Sequence, residues 1–239
     1  MFYFLVTLYF LSLLAGAAAG LAAIFYFKAI KIEEVSQVVP LFALILIWTT
    51  ISAAIFLGER LTIKEYFGIF IIFLGSILLT TGRKFRFSLN KVFLFMLVSA
   101  ILYAIGRIIY KYLTIKWDYW TIFSWSNWGV FLVMSPLFIH YFPVFRKMIK
   151  KYKGKSIGLI LSSGSLSLIA FLFFLQALSF GFVSLVSAVN SVYYLFVFLW
   201  VIVLSVWFPK IIKEELKGLI IFLKLIAIIL IIGGVILVT

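Results

Sequence analysis

Long, uninterrupted apolar runs dominate the sequence, and they decide what the chain can fold into. A helix needs about 20 apolar residues to cross the hydrocarbon core of a bilayer, whereas a barrel strand needs only about 9–11. Only helices and closed barrels satisfy their backbone groups in lipid, and these runs are too long for barrel strands. We therefore predict an all-α polytopic membrane protein with eight transmembrane helices, at residues 4–27, 38–57, 66–81, 92–113, 119–142, 157–177, 182–208 and 219–238.

The composition agrees with a membrane environment and argues against nucleic acid as a partner. Of the 239 residues, 66% are hydrophobic and 12% are charged, whereas soluble domains are about a quarter charged. The formal net charge is +14, but most Lys and Arg residues lie in turns between apolar runs, where they meet anionic lipid headgroups. No nucleic-acid-binding module is recognisable. The expected partners are the lipid bilayer and a small-molecule solute.

The inventory of reactive side chains argues against an enzyme. The sequence has no cysteine, a single histidine (His140) and seven acidic residues. This set excludes disulfides, thiol catalysis and cysteine-based metal sites, and one imidazole cannot form a histidine metal cluster. No nucleophile–base pair is recognisable, so we predict no catalytic residue, no metal and no cofactor.

A short pattern occurs twice and indicates an internal repeat. Residues 59–61 (Glu-x-Leu) match residues 214–216, and residues 75–80 match residues 234–239 in the pattern G-x-I-L-x-T. The second copy has two more helices in front of it than the first. The natural unit is therefore five helices, and an odd number puts the two copies in opposite orientations. This is the inverted-repeat plan of many secondary transporters, with the substrate site between the copies.

The repeat also predicts the domain boundaries. Residues 1–83 form a partial first repeat of three helices, and residues 84–239 form a complete second repeat of five helices. The chain thus reads as a 3+5 version of a ten-helix bundle.

The first copy resembles the EamA domain of the drug/metabolite transporter superfamily. The residues that carry this resemblance extend from the end of the first helix to the third: Ala29, Val35-Ser36, Pro40, Leu57-Gly58-Glu59-Arg60-Leu61-Thr62, Gly68 and Gly75. The second copy, from Ala104 through Ser184 to Gly234, is similar to that family's second domain. It has Phe208-Pro209 before its acidic turn instead of a Gly-Glu pair.

The resemblance implies a carrier of small metabolites, amino acids or amphipathic solutes that works by alternating access. This sequence lacks the family's first two helices. The alternative is therefore a non-transporting truncated homologue, or a partner subunit of a membrane complex. In that case a second copy or a helper chain replaces the missing helices, and the small-residue face at residues 15–20 has lost its usual neighbour.

The distribution of basic residues predicts the orientation. Fifteen of the 21 Lys and Arg residues lie in the loops after the first, third, fifth and seventh predicted helices. Short cytoplasmic loops are enriched in these residues, so the count puts both termini outside a plasma membrane. The family resemblance implies the opposite orientation, with both termini in the cytoplasm.

Arg107 is the sharpest candidate for solute binding, because an ionisable residue inside a span is costly and usually faces a cavity or a partner. Tyr103, Tyr110 and Lys111 share its helix face by their spacing. That face suits a carboxylate or phosphate. The alternative is that Arg107 lies close enough to the helix end to snorkel to the headgroups.

A neutral polar lining is the second candidate, with aromatic walls around a few placed polar groups. Its members lie on the fifth and seventh predicted helices: Ser124, Asn127 and Trp128, with Ser187, Asn190 and Tyr194. The alternative is that these residues form interhelical hydrogen bonds and interfacial aromatic belts. Gln176 and Lys224 are predicted to lie near a membrane interface.

The turn at residues 58–60 is interpreted as a structural hairpin. Gly58, Glu59 and Arg60 close the first repeat, and Gly75 holds the helices together. Glu59 is expected to cap the N-terminus of the third helix, where a negative charge is favourable. The alternative is a substrate or proton role for this carboxylate.

Overall fold

The computed structural model describes residues 2–33, 38–80, 90–207 and 219–239. We number its α-helices in chain order: α1 (Phe2–Ile30), α2 (Leu44–Ser52), α3 (Ile63–Thr80), α4 (Lys91–Thr114), α5 (Tyr119–Phe180), α6 (Val183–Asn190), α7 (Tyr193–Trp207) and α8 (Leu219–Val238). A 3-10 turn at Val39–Ala43 leads into α2, and a π-helical turn at Ala53–Leu57 follows it. Together these three pieces form the second predicted span.

Six stretches of the described residues are long and apolar enough to cross a membrane: Val6–Ile30, Val39–Leu57, Lys91–Thr114, Tyr119–Ile149, Ile157–Phe180 and Val183–Trp200. Phe222–Val238 is a shorter apolar helix. The predicted fold class, an all-α polytopic membrane protein, is confirmed. The number of eight spans stays a prediction.

Helix α5 differs from the sequence prediction, because it continues through the expected basic connector at residues 146–156. Its 62 residues correspond to about 93 Å at 1.5 Å per residue, which is about three times the hydrocarbon thickness of a bilayer. The connector contains no proline, and lysine is a good helix former. The polar residues of the connector separate two apolar stretches, but they do not end the helix.

The chain forms two compact units. The first contains Met1–Leu21 and Ile105–Gly181, and the second contains Ala22–Ala104 and Phe182–Thr239. Each unit includes residues from both predicted repeats. The repeat boundary at residues 83 and 84 stays a prediction.

In the first unit, α1 packs closely against α5 through small residues. A Cβ added to Gly16 would meet the backbone carbonyl of Ser126, and a Cβ added to Gly129 would meet the carbonyl of Leu13. Such contacts require glycine, because any side chain would separate the two helices. The small-residue face of α1 is therefore covered by α5 of the same chain.

In the second unit, α3 packs along α8, and glycines again set the distance. A Cβ added to Gly75 would lie 3.0 Å from the carbonyl oxygen of Ala227, and one added to Gly68 would lie 2.9 Å from that of Gly234. Gly75 is thus in close contact with α8. The helices that end the two predicted repeats contact each other here.

Candidate functional site

The seventh predicted span, interpreted from the sequence as one helix over residues 182–208, contains a tight turn at Ser191 and Val192, which we call the break. Val183–Trp200 is still one apolar stretch long enough to cross a membrane. Helix α6 ends at Asn190 and α7 begins at Tyr193. Between them the backbone tightens, because Ser191 N–H donates to the carbonyl of Ala188 and Val192 N–H to that of Val189, each at 3.0 Å. A short 3-10 stretch inside a helix often marks a functional hinge. The side chains around the break are therefore candidates for a site.

The side chains at this break include an unsatisfied hydroxyl. The Ser187 Oγ is buried and has no hydrogen-bond partner in the described structure. One turn later, Ser191 Oγ donates to the Ser187 carbonyl at 3.1 Å, inside the same helix run. Asn190 is exposed, whereas Tyr194 is buried. A buried polar group without a partner costs about 1–3 kcal/mol, so Ser187 is the group here that a ligand would satisfy.

Thr49 is a candidate residue that the sequence did not single out. It lies on α2, which packs against α6, and its Oγ1 is also buried without a hydrogen-bond partner. One turn earlier, Leu46 shares an apolar cluster with Ala188 of α6. The polar run at residues 48–52 was the available signal. Spacing alone did not distinguish Thr49 from Thr50, whose hydroxyl donates to the Leu46 carbonyl at 3.0 Å.

Glu59 contacts the other end of α6, and this corrects the prediction that it caps the third helix. The carboxylate accepts hydrogen bonds from Val183 N–H at 2.6 Å, from Ser184 N–H at 3.2 Å and from Ser184 Oγ at 2.7 Å. Glu59 is only 6% exposed. Its negative charge satisfies the free N–H groups at the start of α6, where the helix dipole also favours it.

A capping box at the start of α3 explains why Glu59 is not needed there. Thr62 N–H and Thr62 Oγ1 donate to the Glu65 carboxylate at 2.6 and 2.8 Å, and Glu65 N–H donates back to Thr62 Oγ1 at 3.3 Å. This is the reciprocal pattern that S/T-x-x-E sequences form. In the hairpin, Gly58 adopts a left-handed φ of 65° after the π-helical turn, and Arg60 is exposed.

Arg107 lies in the first unit and faces the end of α5. Its guanidinium is 5.1 Å from the centroid of the Phe174 ring. On the next turn, Lys111 Nζ donates to the carbonyl of Leu178 at 2.7 Å, which satisfies a free carbonyl in the last turn of α5. The predicted basic face therefore packs against α5. Lys111 stabilises a helix end there.

The other candidates in the first unit bond to their own helix. Ser124 Oγ donates to the Trp120 carbonyl at 2.9 Å, and Asn127 Nδ2 donates to the Phe123 carbonyl at 2.8 Å. Trp128 is exposed. These contacts agree with the alternative interpretation, in which the residues serve helix structure and the membrane interface.

The eight predicted binding residues are divided between the units. Four belong to the first unit: Arg107, Ser124, Asn127 and Trp128. Four belong to the second: Tyr103, Ser187, Asn190 and Tyr194. In the second unit, the last three lie near the break between α6 and α7 in the sequence, and Thr49 lies on α2, which packs against α6. We define this group of four residues as the α6–α7 site.

Two other features of the second unit do not contribute to this site. Lys224 on α8 is buried at 7% exposure, and its Nζ lies 4.6 Å from the centroid of the Phe198 ring. The sequence had placed it near a membrane interface and gave no sign of this enclosure. An open groove of 390 Å³ also lies between α2 and α3, with a mainly apolar lining: Ile47, Thr50, Ile51, Ala54, Ile55, Tyr66, Ile69 and Phe70.

The comparisons with known proteins connect these features to a family. Residues 4–81, which extend from α1 to the end of α3, match the EamA-like transporter family. An "Uncharacterized transporter in cobO 3'region" from Sinorhizobium sp is 36% identical over 66 residues, which are 28% of this chain. The match covers 47% of that relative, or about half of its length.

A solved structure, described as "Crystal structure of protein", is similar over 97% of this chain and 86% of its own chain. The TM-score is 0.67 and the sequence identity is 17%, so this likeness concerns the fold alone. The similarity to the EamA-like transporter family is therefore carried by residues 4–81, which are about a third of the chain.

Proposed function

We propose that this protein is a membrane carrier of small metabolites, amino acids or amphipathic solutes, and that it binds them at the α6–α7 site. The observation that carries the proposal is the Ser187 hydroxyl, which is buried without a partner beside the break. A solute with a hydrogen-bonding group would satisfy this hydroxyl and the Thr49 hydroxyl. The family relationship points in the same direction, to a transporter and not to an enzyme.

The transport cycle that we propose is alternating access. Helix α6 is followed by a tight turn with bonds three residues back along the chain, and such a turn within a helix often acts as a hinge. Helix α6 has eight residues and packs against α2, α3 and α8. Movement of α6 about the break would open the α6–α7 site to one side of the membrane, and the repeat plan supplies an equivalent movement for the other side.

Arg107 has a separate role in this proposal, as an attraction for anionic solutes. It is half-buried within a span, and its guanidinium lies over the Phe174 ring. The Coulomb interaction with a solute anion is stronger there than in water. The Arg107→Ala variant should therefore weaken transport of anions more than transport of neutral solutes.

A solute panel on purified protein in liposomes tests the proposal. We expect binding or flux for at least one metabolite, and a loss of about fivefold in affinity for Ser187→Ala, since one hydrogen bond is worth about 1 kcal/mol and 1.4 kcal/mol is a factor of ten. The matched control is Ser76→Ala. Ser76 is equally buried in the same unit, but its hydroxyl already donates to the Ile72 carbonyl at 2.7 Å.

The panel also tests the alternative, a non-transporting homologue or partner subunit. That alternative predicts neither binding nor flux across the panel, and a detergent-solubilised mass that includes a second copy or a helper chain. The small-residue face of α1 does not need a helper chain to cover it, because α5 of the same chain covers it. A transported solute whose affinity is the same for Ser187→Ala and the wild type would refute the proposed site.

We place the carrier in the plasma membrane, with both termini outside, on the count of basic loop residues. Terminal fusions to a reporter that is active only in the cytoplasm test this orientation. Activity at either terminus would support the orientation that the family resemblance implies.

A further inference from the structure

The carboxylate of Glu59 is buried, and Glu59 is not one of the residues of the proposed α6–α7 site. It lies in the hairpin between the π-helical turn and α3, and it is separated by 124 residues from Val183, to which it is hydrogen-bonded. All three of its hydrogen bonds go to the first two residues of α6. Glu59 thus attaches one of the two short helices of the seventh predicted span to a hairpin from a distant part of the chain.

The attachment acts on the same helix that carries the Ser187 hydroxyl. Ser184 and Ser187 are three residues apart, so they lie on one face of α6. At its other end α6 is followed by the break at Ser191 and Val192. A helix of eight residues is therefore held by Glu59 at its N-terminus and continues through a tight 3-10-like turn at its C-terminus.

The strength of this attachment depends on the negative charge. Hydrogen bonds from N–H and O–H groups to a carboxylate are about twice as strong as those between neutral groups. The helix dipole adds a further attraction for the charge. A glutamine of the same shape keeps one carbonyl oxygen as an acceptor but loses the charge and the second acceptor oxygen.

We propose that Glu59 is a latch that controls access to the α6–α7 site. Attached to α6, it keeps the Ser187 hydroxyl buried, and its release lets α6 move and exposes Ser187. Glu59 is then a positioning residue and does not contact the solute. This inference rests on the proposed function, because the movement that it controls is the opening step of the carrier cycle.

The experiment measures the accessibility of position 187 directly. The sequence contains no cysteine, so Ser187→Cys gives a single thiol that is nearly isosteric with the native side chain. Its rate of reaction with a water-soluble maleimide is measured in native membranes, with and without Glu59→Gln. We expect Glu59→Gln to increase the rate about tenfold, which corresponds to about 1.4 kcal/mol of lost attachment.

The matched control is Glu65→Gln, which removes the same charge from the same hairpin but from the capping box of α3. It should leave the labelling rate of Ser187→Cys unchanged. Lys64 is exposed, so the thiol of a Lys64→Cys variant should react quickly with or without Glu59→Gln or Glu65→Gln. This control shows that the reagent reaches the hairpin. If Glu59→Gln leaves the rate at its wild-type value, or if Glu65→Gln raises it equally, the latch is refuted.

A second pair of variants keeps the test decisive if Glu59→Gln does not fold. Ser184→Ala removes one of the three hydrogen bonds and keeps the charge, and Ser184→Thr restores the hydroxyl. We expect a smaller increase in labelling for the alanine variant and the wild-type rate for the threonine variant. Equal rates in both would refute the latch. The labelling experiment needs no solute. A negative labelling result, which would refute the latch, can therefore be told apart from a negative liposome panel, which would refute the proposed function.

Discussion

The contact between α3 and α8 allows a sharp test of how glycine determines helix packing. Gly233 and Gly234 are neighbours on α8 and differ in their surroundings. A Cβ added to Gly234 would lie 2.6 Å from Cγ1 of Ile72, 2.8 Å from the carbonyl oxygen of Gly68 and 3.1 Å from Ile72 N, whereas nothing lies within 4 Å of one added to Gly233. The prediction concerns the pair of substitutions Gly234→Ala and Gly233→Ala.

The structure gives the size of the effect. Ordinary van der Waals contact for a Cβ begins at 3.4 Å, so the contact with the Gly68 carbonyl is too short by about 0.6 Å. Backbone atoms cannot rotate away, and overpacking of this kind costs about 1–3 kcal/mol. The gain in helix propensity from glycine to alanine, about 1 kcal/mol, is common to both variants. The difference in stability between them therefore isolates the packing cost.

The assay is thermal unfolding of both variants and the wild type in the same detergent. A change of 1 kcal/mol shifts the melting temperature of a chain of this size by about 2–4 °C. We expect Gly234→Ala to melt about 2–12 °C below Gly233→Ala. Equal melting temperatures for the two variants would show that α3 and α8 are not packed as described, and would refute the reasoning.

Three further predictions concern helix ends and use the same thermal measurement. Lys111→Met should lower stability by about 1.5–3 kcal/mol, because it removes a charged donor from the Leu178 carbonyl, and the exposed Lys116→Met should change it by less than about 0.5 kcal/mol. Asp118→Ala should cost about 0.5–2 kcal/mol, because its carboxylate accepts from Trp120 N–H and Thr121 N–H at 3.1 and 3.2 Å. Glu65→Gln should lower the stability by about 1 kcal/mol or less, since the hydrogen-bonded pair of Thr62 and Glu65 is exposed. A loss for Lys116→Met equal to that for Lys111→Met would contradict the role of Lys111.

The sequence predicted those parts of the fold that depend on local composition. The apolar runs gave the all-helical membrane class, and the glycine at position 58 marked a turn that adopts a left-handed φ. It did not predict the break after Asn190, because Ser191 and Val192 are compatible with helix and only tertiary packing selects the tighter turn. It also did not predict that α5 runs through its basic connector.

The candidate site was predicted only in part, for a physical reason. Ser187, Asn190 and Tyr194 were chosen by residue type, as polar and aromatic side chains on one predicted span. Whether a hydroxyl is satisfied depends on rotamers and on neighbours far apart in the chain. The unsatisfied hydroxyl of Thr49 and the enclosure of Lys224 by Phe198 were therefore beyond the reach of a sequence pattern.

Glu59 was predicted to cap α3 but caps α6. The reason is that two carboxylates, those of Glu59 and Glu65, compete for the N-terminus of α3. The hairpin has two acidic residues close to the N-terminus of α3, and the T-x-x-E spacing of Thr62 and Glu65 commits the second of them to that helix. Glu59 is then left as a charge whose burial requires another set of donors, because a buried carboxylate without partners is costly. The uncapped N-terminus of α6 supplies two N–H groups and the Ser184 hydroxyl. Local chemistry thus excluded the nearest helix, and only the fold brought the distant one into contact.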